Sequence, residues 1–187
     1  ALHCTPVWIL TMTDWKGILK WSTGYSDGTG EAKAVSDEDR KWFVEAMESM
    51  TMDAAKRMRD IGQFLASNPT AELGEEVLDQ TVQLLEELVD HVCDIDNAND
   101  LNAVGGLQPV VQLLGSPHGE LRELAAEVVG TVTQNNPRSQ ELAVGKGCLP
   151  PLVAQAGGDS HRGARQKALF AISALIRHFP PGLEAFV

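Results

Sequence analysis

The stretch that most constrains this chain runs from Asp96 to Val144, because its order of signals returns once more downstream. A short helix is predicted from about Ala98 to Val104, closed at Gly105-Gly106, where glycine takes the left-handed conformation that ends a helix. A second begins at Leu107, with Pro109 in its first turn, where a missing N–H costs nothing. The loop Gly115-Ser116-Pro117-His118-Gly119 leads into a longer third helix, whose Leu121, Leu124, Ala125, Val128, Val129 and Val132 fall at helical spacing. Asn135-Asn136-Pro137 ends it.

The second copy makes the pattern a repeat. Leu107-Gln108-Pro109-Val110-Val111 lines up with Leu149-Pro150-Pro151-Leu152-Val153. Arg122, Ala125, Val129, Val132 and Pro137 line up with Arg165, Ala168, Ile172, Leu175 and Pro180. Three helices per copy at this period predict an all-α fold, an armadillo-like right-handed superhelical solenoid with an N-terminal helical cap.

Composition sets the outer limits. At 187 residues and 43% hydrophobic content the chain holds enough apolar material for a core. With 26 Asp and Glu against 15 Lys and Arg, the net charge of -11 opposes the phosphate attraction on which nucleic-acid and anionic-membrane binding rest. Protein partners are expected instead, with no nucleic acid and no membrane. Cys4, Cys93 and Cys148 form no CxxC and have no histidine at ligand spacing, so a reducing compartment fits best.

Residues 1–35 read as a flexible leader. Its apolar run Val7 to Met12 is too short to span a bilayer. Trp15, Ile18, Leu19 and Trp21 mark a short amphipathic helix, and Gly24, Gly28 and Gly30 a linker. Residues 36–96 read as the cap and an atypical first repeat. Ser36 is placed to cap a helix carrying Phe43, Met47, Met50, Ala54, Met58, Ile61 and Leu65 on one stripe. Gly74 to Ile95 is the next helix, with Val77, Leu78, Val82, Leu85, Leu88, Val89 and Val92 inward and Glu75, Glu76, Asp79, Glu86, Glu87 and Asp90 outward. Repeats follow at 97–136 and 137–179, and 180–187 opens a further one. Ile172, Leu175 and Ile176 are expected to lack the neighbouring repeat that would cover them.

No catalytic constellation emerges. GxxxxGK[ST], GxGxxG after a strand, HExxH and GxSxG are all absent, and Gly145-Lys146-Gly147 aligns with the turn at Gly105-Gly106. His91, His118, His161 and His178 lie far apart. The chain reads as a non-enzyme with no cofactor and no metal site.

Several segments carry a family likeness: Trp15 to Trp21, Ser26-Asp27-Gly28-Thr29, Asp37 to Met47, Asp96 to Gly106, Gln134 to Leu142 and Ala168 to Arg177. Together they resemble the Fes-type heat-shock 70-binding proteins, armadillo-fold nucleotide exchange factors of the cytosolic heat-shock 70 chaperone. The resemblance implies a monomeric cytosolic co-chaperone that grips the chaperone's nucleotide-binding domain on its second lobe and displaces the first, so that ADP leaves. The alternative is an armadillo adaptor that binds protein or peptide partners without exchange.

In armadillo solenoids the third helices line the concave face. Here that face offers Glu123, Glu127, Thr131 and Gln134 from one repeat and Gln166, Phe170, Ala174 and Arg177 from the next. The turn Asp96, Asn97, Ala98 and Asn99 is the second candidate for partner contact, unless Asn97 is only a helix cap. Phe170 stands out as an exposed aromatic of the kind that anchors interfaces. The repeat pattern predicts a far-ultraviolet circular dichroism spectrum that is helical throughout. Measured strand content of about a quarter would end the solenoid reading.

Overall fold

The computed structural model describes residues 36–38, 40–42, 44, 54–68 and 73–186, which fall into two compact units, 1–53 and 54–187. The expected helix at Trp15 to Trp21, the glycine-rich linker and Phe43, Met47 and Met50 lie outside the described residues. In the first unit the described backbone is helical from Asp37, and the Ser36 carbonyl accepts from the Arg40 N–H at 3.0 Å.

The second unit is helical, with no strand among its described residues. Its helices are α1 (Ala54–Ser67), α2 (Glu75–Val92), α3 (Ile95–Ala103), α4 (Leu107–Leu113), α5 (Gly119–Thr133), α6 (Pro137–Gly145), α7 (Leu149–Gly158), α8 (Arg162–Ile176) and α9 (Pro180–Phe186). The triplets α3–α4–α5 and α6–α7–α8 are the two copies read from the sequence. Their backbones repeat as well: Gly105 and Gly147 close the first helix of each copy at φ 81° and 77°. Asn135 and His178 end the third helices at φ 53° and 54°. Asparagine enters the left-handed region more readily than most residues, and histidine shares part of that tolerance.

Two helix starts follow side-chain capping. The Asp94 carboxylate accepts from the backbone N–H groups of Asp96 and Asn97, so α3 begins at Ile95, ahead of the expected Ala98. Asn136 caps α6 through the Ser139 N–H, with Pro137 in the first turn. In each copy an arginine of the third helix reaches back to the loop before it. Arg122 Nη1 donates to the carbonyls of Ser116 and Pro117 at 2.8 and 3.0 Å, and Arg165 Nη1 to those of Asp159 and Ser160. The aligned arginines thus do one structural job twice.

The long helices stack, with α5 packed between α2 and α8. Leu85, Leu88 and Val92 of α2, Leu121, Ala125, Val128, Val129 and Val132 of α5, and Ala168, Ile172 and Leu175 of α8 are buried in one continuous core. Met58, Ile61 and Leu65 of α1 join it, as the stripe of that helix predicts, and α1 packs on α2, α3 and α4. At the α1–α4 junction a Cβ on Gly62 would stand 3.0 Å from the Gly106 Cα, so backbone meets backbone. About 25 cal/mol per Å² of apolar area removed from water holds this stack together.

Two expectations need correction. Ile172 and Leu175 are 8% and 0% exposed, because α9 and α6 pack against α8 and the Leu175 carbonyl lies under Gly182. The apolar exposure at this end falls instead on Leu169, Leu183 and Phe186. Glu87 is not on a purely solvated face of α2 either. Arg57 Nε and Nη2 each donate to its carboxylate at 2.7 Å, and those hydrogen bonds hold the carboxyl below its ordinary range.

A stronger clasp joins the loops of successive repeats. Arg122 Nε and Nη2 donate to Asp159 Oδ2 and Oδ1, each at 2.6 Å, and the Asp159 side chain is only 5% exposed. These hydrogen bonds hold the Asp159 carboxyl below its usual 3.8. A carboxyl depressed in the folded state contributes stability above its unfolded value and loses it as pH falls through the folded one. Asp159→Asn should therefore cost about 2 kcal/mol at neutral pH, the scale of a hydrogen bond to a charged group. In urea titrations the gap between Asp159→Asn and wild type should close as the pH drops below the ordinary carboxylate range.

Candidate functional site

The candidate surface begins with spacing on α5. Glu123, Glu127, Thr131 and Gln134 recur at steps of four and three, which puts them on one helical face. Gln166, Phe170, Ala174 and Arg177 do the same on and just beyond α8. Cross-helix contacts fix the register. Glu123 Oε2 lies 2.8 Å from His161 Nε2, Glu127 Oε1 accepts from Lys167 Nζ at 2.5 Å, and the Phe170 ring lies against Gly130. These pairings advance together along both helices, so α5 and α8 run parallel.

The C-terminal ends of the two helices open into adjoining depressions. One, of about 140 Å³, is lined by Gln134, Asn135, Phe170, Ser173, Ala174 and Arg177. The other, of about 210 Å³, is lined by Val92, Cys93, Ile95, Ala98, Thr131, Val132, Gln134, Asn135 and Asn136. Gln134 and Asn135 belong to both, which makes the pair one short groove. Each half has room for a side chain and falls short of the roughly 300–1,000 Å³ typical of small-molecule and cofactor sites. Among the described residues no group of three His, Cys, Asp or Glu is placed to hold a metal ion.

Six of the twelve expected contact residues line this groove: Ala98, Thr131, Gln134, Phe170, Ala174 and Arg177. Their exposure differs widely. Gln134 and Arg177 are exposed, Thr131 and Phe170 half-buried, and Ala98 and Ala174 are 2% and 7% exposed at its floor. Phe170 is therefore not a freely standing aromatic. One side of its ring packs on α5 where Gly130 has no Cβ, and it also lines the groove. Arg177 Nη2 donates to Ser173 Oγ at 3.3 Å.

The other six lie outside the groove. Glu123 and Glu127 are bound up in the pairs with His161 and Lys167, and Gln166 is exposed on α8. Asp96 is exposed, and its N–H donates to Asp94 Oδ1 at 2.8 Å. Asn97 is not the cap of α3, a role taken by Asp94. Its N–H is one of the capped groups, and its Nδ2 donates to the His91 carbonyl at 3.0 Å. Asn99 Oδ1 accepts from Asn136 Nδ2 at 3.1 Å, tying α3 to the start of α6.

The sequence reading missed Asn135, Ser173, Cys93 and Ile95. Ile95, the expected last residue of the preceding helix, is instead 58% exposed at the start of α3. Asn135 lines the groove because its positive φ turns the chain there, and one Asn in an Asn-Asn-Pro run does not announce that conformation. Cys93 is exposed and its Sγ donates to the Val89 carbonyl at 3.3 Å, whereas burial pushes the Cys148 thiol up to about 12 and keeps it protonated.

Stacked three-helix repeats of this kind define an armadillo-like solenoid. Solved structures agree. A designed armadillo repeat protein in complex with the peptide (KR)4 superposes with a TM-score of 0.58 at 18% identity, over 91% of this chain and 61% of its own. A second designed armadillo repeat protein gives 0.59 at 18% identity, over 81% and 56%. The family is then fixed by sequence. Residues 15–101 match the family described as nucleotide exchange factor Fes1, and residues 97–187 match the SIL1/FES1/HPBP1 C-terminal domain. The chain belongs to the SIL1/FES1/HPBP1 family. It is 35% identical over 182 residues to Hsp70-binding protein 1 of Rattus norvegicus, covering 92% of this chain and 51% of that protein. It is 32% identical over 165 residues to the Hsp70 nucleotide exchange factor FES1 of Kluyveromyces lactis, covering 86% and 54%. Against nucleotide exchange factor SIL1 of Rattus norvegicus it is 32% identical over 151 residues, covering 81% and 31%. The chain thus spans between about a third and just over half of the length of these relatives.

The burial of Ala98 changes what a substitution there does. A long cation at the floor of the groove displaces packed neighbours, and overpacking of this kind costs about 1–3 kcal/mol. Ala98→Arg should lower the urea midpoint by that amount, whereas Gln134→Ala, at an exposed position, should leave it within about 0.5 kcal/mol of wild type. Equal midpoints for Ala98→Arg and wild type would show that the side chain escapes to solvent.

Proposed function

We propose that this protein is a nucleotide exchange factor: it binds the nucleotide-binding domain of a heat-shock 70 chaperone and promotes ADP release. The observation that carries the reading is the match of the two family descriptions, together over residues 15–187, to a chain whose parallel third helices present one face with a side-chain-sized groove. Relatives named for heat-shock 70 binding and for nucleotide exchange support the choice of partner. The contact set comprises the groove residues Ala98, Thr131, Gln134, Phe170, Ala174 and Arg177, flanked by Glu123, Glu127 and Gln166 and by the turn from Asp96 to Asn99.

Exchange of this kind needs no reacting group, so we read the chain as a non-enzyme. It acts by binding the open, nucleotide-poor chaperone more tightly than the closed one. Linkage makes the effect reciprocal: nucleotide weakens factor binding by the same ratio with which the factor weakens nucleotide binding. We place the protein in the cytosol as a monomer. The buried Cys148 thiol suits a reducing compartment, and no described helix is long and apolar enough to cross a membrane.

Release of fluorescent ADP from a purified heat-shock 70 chaperone, with and without this chain, decides the matter. Acceleration that tracks a coupling of about 5–150-fold supports exchange. Binding without acceleration makes the protein an armadillo adaptor. Neither binding nor acceleration overturns the chaperone reading.

A further inference from the structure

The groove differs in charge from the chain that carries it. The chain holds 26 Asp and Glu, yet no carboxylate lines either depression, and the cation among the lining residues is Arg177. Three glutamates of the stacked helices are already engaged, while Asp94 and Asp96 stand exposed beside Ile95 at the rim. Glu87 pairs with Arg57, Glu123 with His161 and Glu127 with Lys167. Arg177, by contrast, is exposed and pairs with no carboxylate among the described residues; its contact is with the Ser173 hydroxyl.

Beside Arg177 stand the amides of Gln134 and Asn135, the Ser173 hydroxyl and the ring of Phe170. Guanidinium, amide and hydroxyl groups all donate hydrogen bonds, and a guanidinium fork matches the two oxygens of a carboxylate. The ring offers an apolar wall for the methylene stem of the same side chain. The adjoining depression carries no charge and sets apolar Val92, Ile95, Ala98 and Val132 beside polar Thr131, Gln134, Asn135 and Asn136.

We propose that the groove receives a segment of a protein partner that sets a carboxylate side chain, Asp or Glu, against Arg177 and Phe170. The same segment places an apolar side chain in the depression floored by Ala98. The proposal rests on the exchange-factor reading and adds the chemistry of the contact. A basic side chain fits the Arg177 half poorly, because it would meet that cation and no carboxylate among the lining residues.

The test is calorimetric binding of the full chain to the purified, nucleotide-free nucleotide-binding domain of a heat-shock 70 chaperone. Arg177→Glu should weaken binding at least tenfold with an unchanged helical spectrum. Arg177→Lys, which keeps the charge and loses the fork, should fall between Arg177→Glu and wild type. Arg138→Glu makes the same change in net charge at an exposed position of α6 outside the groove, and should stay within twofold of wild type. Binding by Arg177→Glu within twofold of wild type would overturn the carboxylate contact and leave the exchange reading standing. Equal losses for Arg177→Glu and Arg138→Glu would reduce the effect to net charge and overturn it too. No binding by the wild-type chain would remove both readings together.

Discussion

The close approach of α5 and α8 is the constraint on which the rest of this structure depends. At Gly119, Gly130 and Gly163 a Cβ would run into the His161 ring, the Phe170 ring and the Glu123 carboxylate respectively. Ala125, Ala126, Ala164, Ala168 and Ala171 are all fully buried along the same two helices. Small residues here let two fifteen-residue helices lie parallel with their backbones near each other. Side chains at successive turns then pair across the seam, which is how Glu123 meets His161 and Glu127 meets Lys167. Larger residues would push the helices apart, and the depression between Gln134 and Arg177 would lose its walls.

Polar groups finish what the apolar stack begins. The last carbonyls of a helix lack partners within it and are costly to bury unpaired. Gln140, 2% exposed on α6, donates from Nε2 to the carbonyls of Ala174, Leu175 and Arg177 at 2.7, 3.4 and 3.0 Å. Gln155 of α7 does the same for the Leu114 carbonyl at 2.6 Å. Both are glutamines reaching into the neighbouring helical layer, so the stacking of helices and the satisfaction of their ends are one event. The Gln140 contacts also fix the backbone from which Arg177 projects.

Much of this architecture was legible because repetition gave each signal a second reading. Gly105 with Gly147, Arg122 with Arg165, and Pro137 with Pro180 fall at matching places in structure as in sequence. The site was less legible, for a physical reason. Glu123, Glu127 and Glu87 look like solvated helix faces, and their partners His161, Lys167 and Arg57 stand 38, 40 and 30 residues away. Asn97 was the cap candidate, and the geometry at Asp94 gives that role to Asp94 instead. Ala98 read as a surface residue because it stands in a polar run, yet the fold turns its methyl inward. Spacing locates a face; it does not show which members of that face are already paired across to the next repeat.

A factor that works by differential affinity must be stiffer than its target, since a surface that yields to both conformations of a partner discriminates between neither. The seam between α5 and α8 supplies such stiffness through close packing, and the Arg122–Asp159 clasp adds to it by fixing each loop to the next. The groove lies at the end of that seam, with its walls on two helices whose spacing cannot relax without opening the core. On the exchange reading, loosening the seam at Gly130 or Asp159 therefore acts on the coupling between partner and nucleotide. On the same reading, removing a groove side chain such as Gln134 acts on affinity for the partner. The two parts of the structure are separable in this sense: the small residues set how firmly a conformation is imposed, and the exposed polar residues set on what.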